Sequence, residues 1–247
     1  HGIRFIMDVV INHTGPATAQ DPAWPEWVRT EPQCTFKDYE TNIQCALVKN
    51  LPDIKTESNA PVEIPAFLAE KWKKEHRYKK EMAELDAFFQ RTGYPRAPRF
   101  YIIKWLTDFV RQYGIDGYRC DTAKHIEETV WAELRKEADL AFADWKKASP
   151  AKVLDNNGFY MVGEVYQYKI SAGRQYDFGD KKVDFYNNGF DGLINFELKD
   201  DAQNSYENVF SKYSTLLNGT LQGKGVLNYV TSHDDSAPFD RKRSKPL

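Results

Sequence analysis

A few positions in this chain gather residues that could do acid–base or nucleophilic chemistry. Asp116-Gly117-Tyr118-Arg119-Cys120-Asp121 reads as a strand, in which residues two apart share a face. Arg119 and Asp121 therefore point the same way, with Gly117 leaving room beneath. A guanidinium beside a carboxylate holds it ionised, the state a nucleophile needs. Glu164 follows Gly163 at the end of another strand-like run. A Glu that is close to an ionised Asp and partly desolvated has its pKa raised and can serve as a general acid. Asp234, beside His233, supplies a third carboxylate. Two carboxylates in unlike environments, with a third to hold substrate or charge, suit hydrolysis of a glycosidic bond through an oxocarbenium-like transition state.

Each residue also has a plainer reading. Asp8 suits a satisfied structural carboxylate better than a catalytic one. His13 and His233 could be buried hydrogen-bonding histidines, and Lys124-His125 a solvated helix start. Two His with carboxylates also permit a metal hydrolase, but no HExxH or close ligand pair supports one.

Positioning these groups falls to five strand-like runs: 3–10, 115–121, 159–165, 190–196 and 226–232. Helix-period stripes lie between most of them. Ile102, Leu106, Phe109 and Tyr113 form one, closed by Gly114. Val130, Leu134, Ala138, Ala141 and Trp145 form another, stopped by Pro150, and Tyr206, Val209, Tyr213 and Leu216 a third. No helix is obvious between the third and fourth strands. Strands alternating with helices imply an α/β fold with a parallel sheet and right-handed crossovers. Candidate residues fall at the ends of several strands: Asp8, Asn12 and His13; Arg119 and Asp121; Glu164; His233 and Asp234. That distribution marks a barrel active site rather than the single switch point of an open sheet. The stretch 15–98 breaks the rhythm and reads as an inserted subdomain, with Tyr78, Met82, Leu85 and Phe89 lining one helix face.

Composition narrows the classes. The 247 residues carry a net charge of −2, which offers no basic nucleic-acid footprint. A 41% hydrophobic content is too high for disorder. No apolar run approaches the ~18 residues a membrane span needs. Cys34 and Cys45 could close a small disulfide or stay as free thiols; Cys120 reads as core. The first residues show neither an initiator Met nor a signal peptide.

Asp8-Val9-Val10-Ile11-Asn12-His13, the run Gly117 to His125 (GYRCDTAKH), Gly163-Glu164 and Ser232-His233-Asp234 resemble the four strand-end motifs of the α-amylase family of glycoside hydrolases. They occur in that family's order, and Leu51-Pro52-Asp53-Ile54 resembles its further motif inside domain B. LPDIKTES, DTAKH and GFDGLINF look most like the family's bacterial periplasmic members. The resemblance implies a (β/α)8 TIM barrel, of which about strands 3 to 7 are visible, with barrel residues 1–14 and 99–247 flanking a domain B of 15–98.

Carried over by motif, Asp121 matches the nucleophile, Glu164 the acid/base and Asp234 the carboxylate that stabilises the transition state. His13, Arg119, Lys124, His125 and His233 match substrate-binding positions, Arg119 as the nucleophile's partner and Lys124 and His125 on the leaving-group side. Asn12, Asp53 and the His125 carbonyl match ligands of a calcium ion bridging domain B to the barrel, all oxygen donors as a hard cation requires. Ser232 stands where many members have Asn, a halide ligand in chloride-activated ones, so chloride dependence is not expected. The implied activity is retaining endo-hydrolysis of α-1,4-glucosidic bonds in starch or maltooligosaccharides by a periplasmic or extracellular monomer, with no nucleic-acid or membrane partner. Transglycosylation or glucosyl isomerisation by the same groups is the alternative, and a non-catalytic carbohydrate-binding relative a more distant one. Against that family's pattern strands one, two and eight are missing, so the resemblance implies an internal fragment of a longer enzyme.

Overall fold

The computed structural model describes residues 2–18, 20–21 and 24–234. Five strands form the main sheet: β1 (Ile6–Val9), β2 (Gly117–Cys120), β3 (Tyr160–Gly163), β4 (Gly192–Asn195) and β5 (Gly225–Asn228). All neighbours are parallel, and their order in space is their order in sequence. A doubly wound sheet reverses its strand order at a switch point, whereas a (β/α)8 barrel adds each strand on the same side. The topology is therefore that of five consecutive barrel strands. Each strand is shorter than its apolar run, and β5 begins one residue before the expected start and stops well before Ser232.

The helices follow the apolar stripes. Between β1 and the next barrel helix lie α1 (Ala66–Lys74) and α2 (Tyr78–Thr92); then come α3 (Pro98–Tyr113), α4 (Glu128–Ala148) and α5 (Tyr206–Asn218). Pro98 opens α3, where its fixed φ fits the first turn. Gly114 closes it at φ 69°, and a Cβ there would strike the Trp145 ring at 2.1 Å. In β2 the alternation divides the strand cleanly. Tyr118 and Cys120 are fully buried, and the Tyr118 hydroxyl donates to the Leu106 carbonyl of α3 at 2.8 Å. Arg119 takes the opposite face. Trp131, Leu134, Ala138 and Ala141 bury the inner face of α4 in the same core.

Two features lie outside the expected pattern. Helix α1 sits in the segment after β1, where Trp72 alone is fully buried, too little for a clear stripe. Between β3 and β4 the chain forms an antiparallel hairpin, Tyr176–Asp177 paired with Lys182–Val183, with short 3₁₀ turns on either side. In the segment between β1 and α3, Val28–Arg29 pairs with Asp53–Ile54, and Cys34 is bridged to Cys45. Among the described residues no helix is long and apolar enough to cross a membrane.

Candidate active site

Arg119 is the hub of the site. The β1–β2 register sets Asp8 beside Arg119, and Glu164 leaves β3 with its N–H on the Cys120 carbonyl at 2.8 Å. The Arg119 Nη1 meets Asp8 Oδ1 at 3.0 Å and also bonds Asp121 Oδ1; Nη2 meets Glu164 Oε2 at 3.1 Å. One planar fork thus joins carboxylates from three successive strand ends. Thr122 follows Asp121 in the left-handed region, at φ 48°, and turns its N–H onto Glu164 Oε2 at 3.0 Å. Sparsely populated backbone of this kind persists where the surroundings over-determine it. Here the 3₁₀ turn Ala123–His125 is held by the Ala123 N–H on the Glu164 carbonyl and by Trp131 Nε1 donating to the Ala123 carbonyl.

Burial pushes the Glu164 carboxyl above its ordinary range, and the Asp121 carboxylate adds to that rise, against the opposing pull of Thr122 N–H and Arg119. Asp121 is more open than Glu164 and aims into the same mouth. The pair is thus asymmetric, with Glu164 the more buried carboxyl and Asp121 the more open one.

Of three further expected residues, His13 and His125 feel the Asp121 charge, and Lys124 adjoins His125. His13 is held low by burial, with the Asp121 charge opposing, and its Nδ1 lies 3.3 Å from Asn12 Nδ2. His125 is 4% exposed, and burial lowers its pKa to about 4. Its Nδ1 lies 2.8 Å from the Asn42 carbonyl, which can only accept, so Nδ1 carries the proton and Nε2 is left as an acceptor. Lys124 is 6% exposed and donates to the Tyr176 hydroxyl at 3.2 Å.

Two of the expected calcium ligands, Asn12 and Asp53, adjoin each other. His13 and Asp53 form a β-bridge, and the Ile54 N–H bonds the Asn12 carbonyl at 2.8 Å, so Asn12 and Asp53 lie on facing backbone. Both are 1% exposed. Asp53 Oδ2 is buried without a hydrogen bond; Arg29 Nε lies 2.9 Å away but off the N–H axis. Burial pushes Asp53 up to about 8, with Glu57 and Glu127 adding to the rise and Arg29 opposing it. A buried carboxylate oxygen with an unfilled lone pair fits a hard cation. Among the described residues no three His, Cys, Asp or Glu side chains are placed to share a metal. The expected set has one carboxylate, completed by an amide and a backbone carbonyl, so it is outside that pattern.

His233 and Asp234 are not drawn into the Arg119 cluster. They are exposed and pair with each other at 3.4 Å, several residues beyond the last ladder pair, Asn195–Asn228. The residues that follow them, from 235 on, lie outside the described part of the chain.

A model of the family described as "Alpha amylase, catalytic domain" matches residues 1–237. The chain belongs to the α-amylase catalytic-domain family. It is 32% identical to the periplasmic α-amylase of Escherichia coli K12, covering 94% of this chain and 39% of that protein. It is 23% identical to a cyclomaltodextrinase of a Bacillus species, covering 99% of this chain and 37% of that one. The α-amylase from Geobacillus thermoleovorans, solved with acarbose, shares the fold at a TM-score of 0.57 and 19% identity, over 94% of this chain and 41% of that one. The chain thus spans about two fifths of the length of these relatives. As an α-amylase-family domain, its five-strand sheet is part of a (β/α)8 barrel.

Motif reading passed over several residues of this α-amylase-family site. Arg29, which faces Asp53, lies in no motif. Asn42, whose carbonyl fixes the His125 tautomer, sits in the disulfide-closed loop. Tyr176 lies in the stretch where no helix was expected. Tyr166 had a usable signal, since it follows Glu164 by two residues, but β3 ends before it.

Proposed function

We propose that this chain carries the catalytic groups of a retaining endo-hydrolase of α-1,4-glucosidic bonds, acting on starch or maltooligosaccharides within a longer enzyme. The observation that carries this reading is the Arg119 bridge between Asp121 and a desolvated Glu164 on adjacent strand ends. Asp121 attacks the anomeric carbon while Glu164 gives its proton to the departing glycosidic oxygen. The resulting glycosyl ester on Asp121 is then hydrolysed by a water that Glu164, now a base, deprotonates. Arg119 keeps Asp121 in its attacking position. His13, Lys124, His125 and His233 hold sugar hydroxyls, and Asp234 stabilises the charge that develops on the sugar.

Residues 15–98 act as domain B in this reading, and 1–14 with 99–247 as the barrel part. Calcium would be held by Asn12, Asp53 and the His125 carbonyl, where it would keep Asp53 ionised and tie domain B to the barrel. The identity to a periplasmic relative and the Cys34–Cys45 bridge support a periplasmic or extracellular location. A monomer is the expected assembly. The test is proton NMR of the first product released by the full-length enzyme from an α-linked oligosaccharide, read before mutarotation. Retention gives an α-anomer; an initial β-anomer would remove Asp121 from the nucleophile's role.

A further inference from the structure

Lys124 is an unusual ammonium. It is 6% exposed, yet among the described residues no carboxylate pairs with it. Its Nζ lies 5.3 Å from the centre of the Tyr166 ring and 5.4 Å from that of Tyr176, and one N–H reaches the Tyr176 hydroxyl. Two aromatic faces and a phenol offset part of the desolvation cost and leave two donors unfilled. Tyr166 is half exposed and follows Glu164 by two residues, as Lys124 follows Asp121 by three, so the Lys124–Tyr166 contact joins the two strand ends that carry the carboxylates.

Tyr176 is not part of the barrel. It opens the hairpin Tyr176–Val183, and this hairpin is braced against the Cys34–Cys45 loop of the inserted segment. Tyr176 packs on Phe178, whose ring meets Tyr39 edge-on at 5.1 Å. The Tyr39 N–H donates to Asp180 Oδ1 at 2.8 Å. Lys181 sits 3.7 Å from the centre of the Tyr39 ring and bonds Glu128 Oε1 at 2.7 Å, while the Tyr39 hydroxyl bonds the other Glu128 oxygen. The same loop places the Asn42 carbonyl on His125 and the Phe36 ring edge-on to it at 5.8 Å. Two segments more than 100 residues apart in sequence thus meet beside Lys124 and His125.

We propose that this braced pair, the Tyr176–Val183 hairpin and the Cys34–Cys45 loop, forms the wall of the leaving-group side, and that Tyr176 is a positioning residue that aims Lys124 at the hydroxyls of the departing glucan. The proposal rests on the hydrolase reading above. It makes affinity for sugars beyond the cleaved bond depend on a hairpin that touches neither reacting carboxylate.

The test compares the full-length enzyme with Tyr176→Phe and Lys181→Met on two substrates. One is maltoheptaose, whose leaving group is an oligosaccharide; the other is an aryl α-maltooligoside, whose leaving group is a phenol. Tyr176→Phe keeps the ring and deletes one hydrogen bond, so KM for maltoheptaose should rise about threefold to tenfold with kcat nearly unchanged. The change on the aryl substrate should be distinctly smaller. Lys181→Met, which loosens the brace from outside the site, should shift the same ratio in the same direction. Equal changes on both substrates would indicate general damage and overturn the proposal, as would unchanged maltoheptaose kinetics in both variants. Wild-type enzyme that cleaves neither substrate would overturn the hydrolase reading itself.

Discussion

Acidification should weaken the fold through His125 in a way that can be worked out from its surroundings. The ring is 4% exposed, and burial lowers its pKa from 6.5 to about 4. Lys124 and His13 add to the fall, and the Asn42 carbonyl and Asp121 oppose it. A depressed folded-state pKa means that the native state prefers the neutral ring. Its contribution is complete above the unfolded value of 6.5 and is lost as the pH falls towards 4. At 1.36 kcal/mol per pKa unit, the difference corresponds to about 3 kcal/mol, a large part of a typical domain's margin. His125→Asn removes the titration and keeps a side-chain donor for the Asn42 carbonyl. Urea unfolding of wild type and variant between about pH 7 and about pH 4 should show the wild type losing about 3 kcal/mol more than the variant. Parallel curves would mean that the buried ring does not titrate as argued.

The remaining expectations concern the reaction and the cation. Asp121→Asn should lower kcat by several orders of magnitude in the full-length enzyme while leaving its melting temperature close to wild type, checked by steady-state assay and calorimetry. Activity should fall on the alkaline side as Glu164 loses its proton, at a pH above the ordinary glutamate range because burial raises its pKa; a pH profile of kcat/KM reads this directly. Chelation should lower the melting temperature, and Asp53→Ala should abolish the response. Because metal-free Asp53 is pushed up to about 8, calcium must displace a proton at neutral pH, so calorimetric affinity should rise as the pH approaches 8.

The most legible parts of this molecule were those where a short repeat and a fixed geometry coincide. Alternation across Tyr118–Asp121 placed Tyr118 and Cys120 against the helices and Arg119 towards the site, as the structure has them. Gly114 marked the end of α3 because only a left-handed residue suits that cap. The three-way Arg119 bridge was partly visible: its Asp121 arm follows from spacing, but Asp8 and Glu164 join it through registers that span distant segments. The spacing of Cys34 and Cys45 left their pairing open, since a compartment decides it as much as distance. The Tyr176 hairpin had no readable pattern. Its two-residue strands are too short to show a period, and its partners, Tyr39 and Glu128, lie far away in sequence. The barrel strands and helices were legible, and the loop contacts around Lys124 and His125 were not.

The long excursion between β1 and α3 also bears on how the sheet assembles. Paired or adjoining residues at the other strand junctions are 42, 30 and 33 apart in sequence, as in Thr122–Glu164, Met161–Asp191 and Asn195–Asn228. Asp8 and Arg119 are 111 apart. Loop closure over the longer span costs about 1 kcal/mol more on the logarithmic scale, before the inserted segment contributes contacts of its own. Rates follow contact separation, so β2 to β5 should zip together first and β1 should dock last, bringing Asp8 onto an Arg119 already committed to its other two carboxylates. Pulse-labelled hydrogen exchange during refolding would show β1 amides protected after those of β2 and β3, and simultaneous protection would contradict this order. The site's electrostatic hub would then be completed by the slowest strand, which makes the Arg119–Asp8 pair a late reporter of native assembly.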